Sequence, residues 1–137
     1  MSLRDDLARV VARDARYTIH AYFFVFEALE YTKVLKAKAR AKSKLKSRKR
    51  ARHVSGRELC EGARKLALRD YGLMALAVLA RWGIRSTSDI GEIVYNLIAS
   101  GDLEKTPNDS RTDFDDVYEF EAGLRQNYVM ILDDVLL

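Results

Sequence analysis

Eleven lysines and arginines, Lys33, Lys36, Lys38, Arg40, Lys42, Lys44, Lys46, Arg48, Lys49, Arg50 and Arg52, stand between Tyr31 and Arg57 without an acid among them. Cationic side chains at this density neutralise phosphates and release their condensed counterions, so the chemistry the run offers is electrostatic contact with a polyanion. The candidate contact residues are Lys38, Arg40, Lys42, Lys44, Lys46, Arg48, Lys49, Arg50 and Arg52. The partner is then an RNA or DNA backbone, or an acidic protein surface. No Phe, Tyr or Trp lies between Tyr31 and Tyr71 to stack on a base, and lysines on flexible stems read base edges poorly. Contact of this kind is independent of base sequence.

Other chemistries lack their parts. A di-iron bundle needs Glu-x-x-His pairs, whereas Glu27 with Glu30, and Glu58 with Glu61, sit three apart with no histidine completing either pair. His20 and Glu27 are separated by two helical turns, roughly 10 Å, too far to share one metal on a straight helix. The acids Asp109, Asp113, Asp115, Asp116, Glu119 and Glu121 do not have the spacing of a calcium-binding EF-hand loop. Neither His20 nor His53 lies in a nucleophile elbow or a Gly-rich phosphate loop. No cofactor or metal is therefore expected. An enzyme assembled from distant residues is the alternative, with its site near Glu27, Trp82 and the polar stretch 85–89. Glu27, set among Phe23, Phe24, Phe26 and Tyr31, is expected to face solvent, pair with a cation or titrate abnormally, with pairing preferred.

These residues need elements to hold them, and the hydrophobic pattern is that of helices. The 137 residues are 48% hydrophobic and 32% charged with a single proline, Pro107, which suits one domain with a sizeable core. A first helix follows Ser2 and ends near Ala15, with Leu3, Leu7, Val10 and Val11 on one face. A second starts about Thr18 and is apolar almost all round from Ala21 to Leu29, which marks it as the central helix, with Phe23 and Phe26 as core anchors. Without Gly or Pro before Gly56, it can continue to about Lys46; there its charges surround the helix and pack against nothing. Ser55 and Glu58 have capping-box spacing for a third helix ending at Gly72. Leu73 to Trp82 forms an apolar fourth. A fifth, capped by Thr87 or Ser88, buries Ile90, Ile93, Val94, Leu97 and Ile98 and ends at Gly101. Residues 102–121 are acidic and turn-rich, an irregular wrap or short hairpin, followed by a brief helix from Phe120 to Gln126 and an apolar tail, 128–137.

The expected fold is thus mainly α: a single helical domain over 1–137, of about five or six helices, with a basic arm or helix extension at 33–53. Residues 1–101 carry 21 basic and 10 acidic side chains, a net +11, and residues 102–137 carry 3 and 10, a net −7. Two opposed fields allow the arm and the acidic third to dock weakly, within or between chains. The apolar tail offers a second route to self-association, as a homo-oligomer or structural protein. The longest apolar run, Leu73 to Ala80, falls well short of the ~20 residues a membrane-spanning helix needs. Asp5 and Asp6 stand where a signal peptide is basic, and the lone Cys60 has no partner for an internal disulfide. The expected setting is cytoplasmic, without a membrane.

Four stretches resemble a family of uncharacterised bacterial proteins found mainly in Planctomycetes and Verrucomicrobia. They are Ala21 to Thr32 (AYFFVFEALEYT), His53 to Leu59 (HVSGREL), Trp82 to Arg85 with Asp89 to Val94 (WGIR, DIGEIV), and Asp109 to Arg111 followed by Asp113 and Phe114. The resemblance runs from about Arg4 to Leu124. It implies one compact domain and no known activity, so it assigns no catalytic or binding residue. The basic arm from Lys33 to Arg52 and the tail after Tyr128 look particular to this chain.

Overall fold

The structure, a computed structural model, describes residues 3–43, 53–105 and 110–126. Among them are five α-helices and no strand, so the fold is mainly α, as its periodicity indicated. The segment 44–52, which holds most of the basic run, and the tail 128–137 lie outside the described residues.

Helix α1, Leu3–Arg13, buries Leu7 and Val10. Helix α2, Ile19–Ser43, is the longest at 25 residues and runs through the middle of the core. Its inward face is Ala21, Tyr22, Phe24, Val25, Ala28 and Thr32, a spacing of three and four residues that lines one side of a helix. The expected anchors need correction. Phe23 is 37% exposed and Phe26 only partly buried, while Tyr22 and Phe24 are 0% and 3% exposed.

Helix α3, Gly56–Tyr71, begins with the expected capping box: Glu58 N–H donates to Ser55 Oγ at 3.1 Å, and Ser55 N–H donates to Glu58 Oε1 at 3.0 Å. It lies against α2 along their most extensive mutual contact, burying Leu59, Cys60, Ala63, Leu66 and Ala67. Gly72 ends it with φ +53°.

The apolar run after Gly72 does not form one buried helix. Gly72–Met74 is a 3-10 turn that leaves Leu73 and Met74 64% and 61% exposed, and helix α4 covers only Ala75–Arg81. Trp82 and Gly83 then turn the chain back onto the start of α2, where Thr18 N–H donates to Trp82 O at 3.1 Å. Gly83 has φ +99°, and a Cβ there would lie 2.2 Å from Arg16 O, so only glycine fits this crossing.

Helix α5, Thr87–Ala99, is capped by Ser86 and not by Thr87 or Ser88; Thr87 is buried inside the first turn, where its Oγ1 accepts from Val117 N–H. Its buried residues are Ile90, Ile93 and Leu97, with Val94 and Ile98 partly covered. The acidic segment takes no hairpin among its described residues. Arg111–Phe114 is a 3-10 turn that presses Phe114 onto α5, and Ala122–Gln126 is a π-helical turn packed on α3 and α4.

Cys60 is wholly buried on α3, and burial pushes its thiol up to about 12. The thiolate is the reactive form, so the native protein should resist thiol reagents and react only as it unfolds. Disulfide-exchange reagent added with and without denaturant checks this; rapid labelling of the folded chain would place Cys60 elsewhere.

Candidate functional site

Of the sequence-predicted contact residues, Lys38 is exposed on α2, and the helix carries Arg40 and Lys42 before its last described residue, Ser43. Lys44, Lys46, Arg48, Lys49, Arg50 and Arg52 lie outside the described residues. Ala37, Ala39 and Ala41 are exposed beside Lys38, so this end of α2 leaves the body of the fold.

The root of the arm is not the unpacked helix expected from its charge pattern. Lys36 Nζ donates to His53 O at 2.5 Å and to Glu58 Oε1 at 3.0 Å, with its side chain only 19% exposed. One ammonium thus ties the outgoing helix to the segment that re-enters α3. Glu58 serves both that clamp and the capping box. Burial acts to raise its pKa, but the Ser55 N–H and the Lys36 ammonium outweigh it and hold the carboxyl below its ordinary value. Lys33, one turn earlier, pairs with Glu30 at 3.2 Å in an exposed position.

The parts proposed for an enzyme each have structural partners. Glu27 is half exposed, with Oε1 4.0 Å from Arg69 Nη2, the pairing expected of it. Trp82 packs against His20, Phe24 and Tyr71, with ring centroids 5.7 to 6.0 Å apart. In the 85–89 stretch, Asp89 accepts from Tyr17 Oη at 2.6 Å and from Arg85 N–H at 2.8 Å. Burial, followed by that bond to a carboxylate, raises the Tyr17 hydroxyl well above its ordinary value. These contacts close a turn and cap α5. No group of three or more His, Cys, Asp or Glu with metal-binding geometry occurs among the described residues.

A polar ladder along α5 was not anticipated from the sequence. Asp89, Glu92 and Asn96 fall on one face at intervals of three and four, a signal visible in the sequence but masked by the apolar stripe on the same helix. Glu92 lies between Arg16 Nη2 at 3.4 Å and Arg111 Nη1 at 3.2 Å. Asn96 Nδ2 donates to Asp14 Oδ2 at 2.8 Å and to Tyr22 Oη at 3.1 Å. The ladder joins the α1–α2 turn, α2, α5 and the Arg111 turn.

Within it, the Arg16 guanidinium holds the Asp14 carboxyl well below the usual range, against the effect of burial and with help from Asn96. A depressed folded pKa supplies stability that is complete above the unfolded value of 3.8 and is lost as pH falls below it. Asp14→Asn should therefore flatten the acid limb of the stability profile. Between about pH 5 and pH 2 the parent should lose about 1.5 kcal/mol more than the variant. Urea titrations across that range test it, and parallel profiles would exclude the role.

Among the described residues, no helix is long and apolar enough to cross a membrane. Comparison with protein-family models, with curated proteins and with solved structures finds no match.

Proposed function

We propose that this chain is a non-enzymatic binding module, active in the cytoplasm, whose basic residues from Lys38 to Arg52 contact an RNA or DNA backbone without sequence preference. The observation that carries this reading is the arm's root. Helix α2 runs from the centre of the core out to Ser43 with residues 37–39 and 41 exposed, and Lys36 fastens its base to His53 O and Glu58. The intervening sequence therefore starts and finishes at one anchored point while carrying nine of the eleven cations. A fixed base with a dense positive charge suits contact with a phosphate backbone, where charge supplies the affinity.

Fluorescence anisotropy with a labelled duplex of arbitrary sequence tests it. Affinity should fall linearly with salt on logarithmic axes. Replacing Lys42, Lys44, Lys46, Arg48, Lys49 and Arg50 by Gln should weaken binding and flatten the slope by about 0.9 for each phosphate no longer neutralised. Equal affinity for parent and variant would overturn the proposal.

A further inference from the structure

We propose that a hollow beside the arm's root binds a small amphiphilic carboxylate, a ligand distinct from any polyanion on the arm. The hollow has a volume of about 330 Å³ and lies between α2, α5 and the start of α3. That volume falls in the range of small-molecule sites, which combine apolar walls with a few polar groups. Val25 and Leu29 of α2, Leu59 of α3, and Val94 and Ile98 of α5 supply apolar walls.

The ligand class follows from the order of residues along α2. Val25, Leu29 and Lys33 all line the hollow at intervals of four, so two apolar turns lead to an ammonium over about 12 Å of helix. An apolar chain lying along the first two places its head beside the third. Lys36, one turn further on, bonds His53 O, which brings the His53 segment to the same end, and His53 also lines the hollow.

Two further cations flank one of the lining side chains. Lys105 Nζ and Arg111 Cζ stand 5.8 Å and 4.8 Å from the ring centroid of Tyr95, another lining residue. Glu104 lines the hollow as an opposing acid, and Arg111 also pairs with Glu92. Lys33's partner Glu30 is 72% exposed, so a ligand carboxylate can replace it while Glu30 returns to water.

The test is isothermal titration of the intact chain with decanoate, decanol and decylamine, each below its aggregation threshold. Decanoate should bind saturably at one site, and decanol more weakly. Lys33→Gln, a surface change that leaves the core alone, should weaken decanoate by about tenfold while sparing decanol. Val94→Phe, with folding confirmed by circular dichroism, should fill the hollow and remove binding of both. The six-residue Gln variant of the arm should bind decanoate like the parent. Absence of saturable binding, an unaffected Lys33→Gln, decylamine binding as tightly as decanoate, or loss of decanoate binding in the arm variant would each overturn the proposal. Those results leave the duplex-binding experiment untouched, so the two readings fail separately.

Discussion

Phe24→Ala is expected to destabilise the protein by about 3 to 5 kcal/mol, and Phe23→Ala by about 1 kcal/mol or less. The two phenylalanines are adjacent, so they share backbone, helix propensity and side-chain chemistry and differ only in the direction they face. Phe24 is 3% exposed and its ring lies 6.0 Å from that of Trp82, which is itself bracketed by His20 and Tyr71. Truncation removes the ring from a packed aromatic group and leaves a space that its rigid neighbours refill poorly. Phe23 is 37% exposed, so its truncation leaves a gap open to water and not an enclosed cavity. Typical domains are stable by about 5 to 15 kcal/mol, so the first change approaches the margin and the second does not. Urea unfolding followed by the fluorescence of Trp82, the chain's single tryptophan, measures both. Equal losses at the two positions would mean that α2 is rotated from the orientation described.

That pair also shows where the sequence becomes mute. Periodicity identifies the buried face of a helix by contrast with a polar face, and from Ala21 to Leu29 the contrast is nearly absent. The helix was legible; its rotation was not. The caps were legible where two residues cooperate, as in Ser55 with Glu58. Ser86, Thr87 and Ser88 set three hydroxyls in a row; the expected cap was one of the last two, and only the backbone shows that the first lies outside the first turn. Leu73 and Met74 were misplaced for another reason: an apolar run records composition, whereas the 3-10 turn that exposes both residues follows from where α3 ends. The arm was visible as charge, but its fastening was not. Lys36 looks like every other lysine in the run until the fold brings His53 and Glu58 to it. The polar ladder and the hollow depend on contacts between residues up to 82 positions apart, which no local pattern records.

Gly62→Ala is expected to cost about 3 kcal/mol, because the smallest possible side chain already collides at the α2–α3 contact. A Cβ at Gly62 would lie 1.8 Å from Thr32 Oγ1, 2.9 Å from Thr32 Cβ and 3.2 Å from Thr32 Cγ2. Rotating Thr32 does not solve this. Its Cβ is fixed to the backbone of α2, and its hydroxyl is 2.6 Å from Ala28 O, to which it donates in a buried position. The helices must therefore separate, loosening the longest shared surface of the fold. In an isolated exposed helix the same change would stabilise by about 1 kcal/mol, since alanine favours helix over glycine. The sign of the effect therefore distinguishes close packing from helix propensity. Thr32→Ala in the same chain should recover part of the loss, because it removes Oγ1 and Cγ2 while leaving the Cβ contact at 2.9 Å. A double-mutant cycle in urea should then give a coupling of about 1 kcal/mol or more between the two positions. Additive effects, or a Gly62→Ala protein more stable than the parent, would show that α2 and α3 do not approach at this glycine.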